Sequence, residues 1–415
     1  MRNMIASIAW RNIWRNKLRS LVIVLAIAVG IIGAVTMNGF MMGMVEQRVE
    51  SVIDTEISNI QIHNPNYLLN QEIKYHISNT AETIEKIKTI PEIKEVSSRI
   101  VSSAMATSAS TGFGINLYGI HPEIEKKVSS IYKHINQGVY LKDGQNFPVV
   151  IGEKLSQKLN LNLDDKLIVT LTDTTGTITS GAFNIVGIYK TADDNFDVTH
   201  AYVKQSDLRK MINYPPNVVN ELAVRLNKND DTNLVINKLF KTFSSQIKQK
   251  QIIVQSWSQL NPADESMVEM MDYFSFLFLI IIFTALAFAI INVMLMAILE
   301  RTREFGMLMA LGMNKRKVFR MILLETIFLS VIGGLTGIVL GAVIVKYFSS
   351  YGFDLSSVAS GMNSIGYNSI IYFKVKISFY LTSMVMVVLT AVVSGIFPAL
   401  KALKLQPADA IREDS

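Results

Sequence analysis

The sequence predicts a membrane α-helical fold, four transmembrane helices with a large extracytoplasmic α+β domain inserted between helices 1 and 2. Three observations carry this. Half of the 415 residues are hydrophobic, and the mean hydropathy of +0.31 exceeds that of an average globular domain. Four stretches, 20–45, 273–299, 326–345 and 377–400, are free of charge over about the ~20 apolar residues that a bilayer crossing requires. The basic residues fall almost entirely on one side of the short connections between those stretches.

Taken in order, residues 1–19 hold Arg2, Arg11, Arg15, Lys17 and Arg19 and no acid. The apolar run that follows, transmembrane helix 1 over 20–45, is too long for the ~7–15-residue core of a signal peptide and is read as a retained anchor. Helix 2 covers 273–299. The connection 300–320 carries Arg301, Arg303, Lys315, Arg316, Lys317 and Arg320. Helix 3 is placed over 321–345 and helix 4 over 377–400, and the tail 401–415 adds Lys401, Lys404 and Arg412. Fourteen bases therefore lie on one side, against three in the loop 346–376. The positive-inside rule puts both termini in the cytoplasm and 46–272 outside. That outer segment has 23 bases and 27 acids, so the net charge of +6 is a topology signal and calls for no nucleic acid. The expected location is the inner (cytoplasmic) membrane, multi-pass.

The outer segment reads as mixed α and β. Ile60, Gln61 and Ile62 alternate as a strand does. Asn79 and Glu82 have capping-box spacing, with Ile84 and Ile87 on one helix face and Pro91 ending the helix. Strands are expected over 96–107 and 115–120. Residues 149–151 lead through Gly152 into a helix over 153–159. Residues 167–171 and 183–189 form a strand pair joined by the turn-rich 172–181. Residues 221–226, 233–243 and 252–255 suggest a second, smaller lobe.

Several positions stand out chemically. From Glu300 to Val318 the chain reads ERTREFGMLMALGMNKRKV. A charged run turns into Phe305, Leu308, Met309 and Leu311 before Gly312, the pattern of a short amphipathic helix in which Phe305 and Leu308 share a face. Arg301 and Arg303 are expected to be exposed. Gly333, Gly337 and Gly341 recur at every fourth position and give one helix face that another helix can approach closely. Glu325 sits near the end of a span and is expected to pair with Arg320 or a neighbour.

The 300–318 segment closely resembles the coupling helix of the FtsX/MacB-type ABC transporter permease family, and the layout is nearest to its lipoprotein-releasing permeases. Arg11-Asn12 and Arg15-Asn16-Lys17-Leu18-Arg19 resemble that family's surface helix, so 1–19 is expected to be a cytoplasmic amphipathic helix. Ile60 to Ile62, Gly187 to Tyr189 with 193–197, and Ser256-Trp257 fit its outer domain. Pro398 to Lys401, followed by Leu405 to Ala408 and Ile411 to Glu413, resembles its terminal segment. The resemblance implies that Glu300, Arg301, Arg303, Glu304, Phe305, Leu308 and Gly312 couple to an ATPase. It also implies an ABC ATPase dimer that binds the ATP, a second permease subunit, identical or related, and mechanical transmission to an amphiphilic substrate. Lipoprotein release is the first expectation. Drug or peptide efflux, and a non-transporting regulator of cell-wall hydrolases, are the alternatives. The turn 172–181 is short and polar, unlike the long hook by which carrier-recruiting members are recognised.

Enzyme signatures are absent from the sequence. There is no cysteine, so thiolate catalysis and disulfides are excluded. The histidines, His63, His76, His121, His134 and His200, form no helical zinc pair and are expected at the surface of the outer segment. Gly114 to Gly119 has phosphate-loop spacing, but Ile120 stands where the lysine would be. No metal, cofactor or catalytic residue is assigned to the chain itself.

Overall fold

The computed structural model describes residues 2–15, 17–109 and 111–404. Asn16 and the terminal residues Leu405 to Ala408 and Ile411 to Glu413 singled out above lie outside them. The chain forms two compact units, one of Met1–Val45, Val268–Asp354 and Ile370–Ser415, the other of Glu46–Met267 and Leu355–Ser369.

The first unit is helical. Among the described residues, a leading helix, Arg2–Arg15, precedes four helices long and apolar enough to cross a membrane. They are Lys17–Ser51, Pro262–Glu300, Lys315–Tyr351 and Ile377–Lys404. Each runs past its charge-free stretch. Loss of charge-free character marks where a helix meets polar surroundings, whereas backbone hydrogen bonding continues as long as propensity allows. The second long helix starts eleven residues before Tyr273, with Asp264 and Glu265 in its first turn, where acids complement the exposed N–H groups. The third packs on the first by a face that buries Gly333, Gly337 and Gly341 on one side and Ile27, Ile31 and Val35 on the other.

The second unit is built on a ten-stranded sheet. Its strands are β1 (Ile60–His63), β2 (Ile93–Thr107), β3 (Gly112–Ile120), β4 (Ile135–Gly138), β5 (Pro148–Gly152), β6 (Lys166–Thr172), β7 (Ile178–Tyr189), β8 (His200–Lys204), β9 (Glu221–Leu226) and β10 (Ile253–Ser256). The order is β10-β1-β9-β2-β3-β8-β5-β7-β4, and β6 pairs with both β2 and β7. Strands β2, β3, β8, β5, β7 and β6 therefore close a ring, which removes their free edges. The fifteen-residue β2 is shared. Its first half pairs with β9 in the smaller lobe and its second half with β3 in the ring. One apolar core runs through both, with Ile60, Ile62, Ile100, Leu117, Val169, Phe183 and Leu222 among its fully buried members.

Most of the expected elements appear with shifted ends. The helix after Gly152 is Glu153–Leu159. The capping box does not form. Asn79 takes a positive φ of 55° and its side chain makes no cap bond, while the Thr83 hydroxyl donates to the Asn79 carbonyl at 3.1 Å. The β6–β7 turn is shorter than expected, because 178–181 joins the ladder opposite 169–172. His63 is buried, contrary to the surface expectation, and stacks on Tyr67 with ring centroids 5.4 Å apart. Burial there holds its imidazole below the usual pKa.

Candidate functional site

The connection between the second and third long helices folds as a short helix, Thr302–Ala310. It stops where Gly312 takes φ of +92°, a conformation glycine adopts without Cβ strain. The Met313 N–H then bonds the Leu308 carbonyl at 2.9 Å, a Schellman-type closure. Asn314 starts the next helix by accepting from the Arg316 N–H at 3.2 Å.

The faces of this short helix differ from the expectation. Phe305 is only 1% exposed, so its ring is used inside the chain, and the Arg301 guanidinium lies 5.2 Å from the ring centroid. Leu308 is half-buried. The outward stripe is Arg303, Met307, Ala310 and Leu311, with Met307 61% and Leu311 85% exposed. These positions follow the three- and four-residue spacing of one helix face.

Arg301 is likewise buried, not exposed as expected. Its Nε donates to Glu304 at 2.9 Å and its Nη1 to both oxygens of Glu325 at 3.2 Å. Glu325 thus pairs with a residue 24 positions earlier and not with Arg320. Arg320 is exposed, and Arg301, at the junction of the second long helix with the short helix, reaches the acid across the connection. The leading helix belongs to the same assembly. Arg15 pairs with Glu304, and Arg19 at the start of the first long helix pairs with Glu300. The Trp10 ring packs edge-on to Phe328 at 5.6 Å. Glu300, Arg301 and Glu304 are therefore holding residues for the short helix, while Arg303 sits on its outward side.

The glycine stripe has its partner within this chain. A Cβ at Gly333 would stand 2.8 Å from the Ile27 Cβ. At Gly337 it would stand 2.8 Å from both the Ala28 carbonyl oxygen and the Ile31 Cβ, and at Gly341 3.1 Å from Val35. A Cβ at Gly333 or Gly337 forces a shift, and one at Gly341 requires Val35 to give way, so the two helices approach closely along this face.

The sheet-bearing unit holds a polar joint that sequence reasoning missed. The Arg48 guanidinium donates to Asp264 at 2.9 and 3.0 Å and to Asp193 at 2.8 Å. It also donates to the Gly366 carbonyl at 3.2 Å. Asp193 uses its other oxygen to cap the helix Asp194–Thr199 through the Asn195 and Phe196 N–H groups. One side chain thus ties four separate stretches of this unit together. Its partners lie 145, 216 and 318 residues away, and no local pattern announces them.

With this geometry in place, similarity to known proteins identifies the chain. The MacB-like periplasmic core domain family matches residues 20–241, more than half of the chain. The FtsX-like permease C-terminal family matches residues 275–407. The chain is 23% identical to an uncharacterised ABC transporter permease of Methanocaldococcus jannaschii, over 98% of this chain and 97% of that one. It is 24% identical to the lipoprotein-releasing system transmembrane protein LolC of Neisseria meningitidis, over 75% of this chain and 76% of that one. Its 32% identity to the macrolide export ATP-binding/permease protein MacB of the same species extends over 30% of this chain and 17% of that one. Matched along both its sheet-bearing segment and its membrane helices, the chain belongs to the FtsX/MacB-type family of ABC transporter permeases.

Proposed function

We propose that the chain is a permease subunit driven by a separate ABC ATPase dimer, and that it extracts an amphiphile, a lipoprotein first, on the extracytoplasmic side. The observation that carries the substrate class is the extent of similarity: three quarters of this chain aligns with three quarters of a protein named for lipoprotein release. The sequence offers no phosphate loop, so ATP is bound and hydrolysed by the partner. A second permease subunit, identical or related, completes the complex. The outward stripe of Arg303, Met307, Ala310 and Leu311 is the surface offered to the ATPase, and Gly312 closes it. Arg301, Glu304 and Glu325 hold that stripe in place, so a push on the short helix reaches the third long helix through a buried ion pair. The glycine stripe then passes displacement to the first long helix. Such movement does transport work only where the outer conformations differ in substrate affinity.

The test is reconstitution. The chain and its partner ATPase are placed in liposomes carrying a fluorescent acylated lipoprotein. ATP is expected to raise the released fraction, and a non-acylated version of the same protein is expected not to respond. Release unaffected by ATP, with the ATPase still bound, refutes the substrate class. Drug efflux is the second reading, supported by the similarity to MacB, and ATP-dependent macrolide uptake into inverted vesicles would favour it.

A further inference from the structure

The leading helix and the first long helix both pack on the third, but at different levels. Trp10 meets Phe328 at 5.6 Å. Nearer the middle of the third helix, Gly333 meets Ile27 and the Val24 carbonyl. The Ser20 hydroxyl donates to the Ile13 carbonyl at 2.7 Å and links the first two elements. Between these contacts lies a groove of about 380 Å³, lined by Ile13, Trp14, Lys17, Leu21, Val24 and Ile332 among others. From Lys17 to Val24 it follows the helix axis for about 10 Å. Its volume lies within the ~300–1,000 Å³ usual for ligand sites.

The groove wall is apolar except at one end, where Lys17 and Ser20 stand, and the Ser20 hydroxyl is spent on the Ile13 carbonyl. Arg15 and Arg19 on either side are occupied by Glu304 and Glu300. Among the described residues no carboxylate pairs with Lys17. An occupant that satisfies both features has a hydrocarbon body and an anionic head. We propose that this groove binds one acyl chain of an anionic phospholipid, with the lipid phosphate held by Lys17.

A second copy of the chain satisfies the groove less well. A two-fold interface sets the same patch against itself, which would bring Lys17 and the exposed Arg11 toward their own copies, and residues 1–19 contain no acid to offset them. An anionic lipid supplies the missing charge, as basic segments beside membranes generally require. Trp14, 57% exposed at the same end, is a residue type that favours the headgroup zone. The site is at the basic end of the first long helix, so its lipid is distinct from an amphiphile taken up on the opposite side. It does not depend on the ATPase or on the substrate proposed above.

The experiment uses the purified full chain in mild detergent and native mass spectrometry. Phosphatidylglycerol and phosphatidylcholine with identical acyl chains are offered at equal concentration. The unsubstituted chain is expected to retain phosphatidylglycerol on the order of fivefold more, the ratio that one basic residue at an anionic surface provides. Lys17→Gln, an exposed position that leaves folding intact, is expected to bring the ratio to about one while lipid is still retained. Val24→Trp fills the groove and is expected to remove retained lipid of both kinds. Lys346→Gln, at the far end of the third long helix, is expected to leave the ratio unchanged. Equal retention of the two lipids by the unsubstituted chain overturns the proposal, as does an unchanged preference in Lys17→Gln. Conversion of a dimer to monomers by Val24→Trp, with lipid retention unaltered, would show that a second copy covers the groove and would equally overturn it.

Discussion

Replacing Met307 and Leu311 together with aspartate separates the outward face of the short inner helix from its buried one. Full burial of side chains of this size contributes ~1.5–3 kcal/mol each. Met307 is 61% exposed and Leu311 85% exposed in the free chain, so covering them with an ATPase surface recovers roughly 2–4 kcal/mol for the pair. That corresponds to about 30- to 1,000-fold in the dissociation constant, and the desolvation of two new carboxylates adds to the loss. Neither side chain contributes to the chain's own core, so the melting temperature in detergent is expected to hold. Phe305→Ala is the contrasting variant. Its ring is buried, and its removal is expected to cost ~3–5 kcal/mol of folding stability, visible as a lowered melting temperature. The assay is titration of the ATPase onto the solubilised permease, with thermal unfolding measured on the same samples. An unchanged dissociation constant and unchanged ATP turnover for Met307→Asp, Leu311→Asp would refute the docking face.

Three further outcomes follow from the geometry. Gly337→Leu is expected to destabilise the helical unit by about 1–3 kcal/mol through overpacking, since even its first carbon would touch the Ala28 carbonyl. Gly361→Ala, where a Cβ meets nothing within 4 Å, is expected to melt like the unsubstituted chain, and equal melting of both variants would count against the close approach. Burial pushes the Asp197 carboxyl up to about 7, against the hydrogen bonds from Thr191 that lower it. The folded chain therefore keeps a proton that the unfolded chain releases between about pH 4 and 7, and stability falls as pH rises through that window. Asp197→Asn removes this dependence, so the variant should gain on the unsubstituted chain from pH 4 to 7.5, and parallel stability profiles would contradict the shift. Single cysteines at Thr174 and Asn314 of this cysteine-free chain report topology through an impermeant label. Modification at position 174 alone is expected in intact cells, and modification at position 314 alone would reverse the assignment.

Hydropathy and charge are properties of short stretches, which is why the four long helices and the placement of the sheet-bearing segment between the first two were legible in one dimension. The glycines at 333, 337 and 341 were equally legible as a face, because the helical repeat relates residues four apart whatever lies opposite. The Gly312 stop and the helix Glu153–Leu159 also depend on immediate neighbours. Direction was not legible. Phe305 and Leu311 are both apolar residues of one amphipathic segment, and nothing within the segment says which is inward. What packs against the segment in space decides that, and it places Phe305 beneath Arg301 and leaves Leu311 exposed.

The pairing of charges divides in the same way. Arg320 stands five positions before Glu325, little more than one helical turn away, and it or a neighbour was the expected partner, yet Arg301, 24 positions earlier, takes the acid. Arg48 shows the limit most clearly. In the sequence it is one base among many at the edge of an apolar run. In the folded chain it is shared by Asp193, Asp264 and the Gly366 carbonyl. Composition and periodicity were sufficient for what each element is, because hydrophobic burial and backbone hydrogen bonding act over a few residues. Only the tertiary structure decided which faces meet and which charges neutralise one another, because those interactions reward proximity in space and carry no trace in the spacing along the chain.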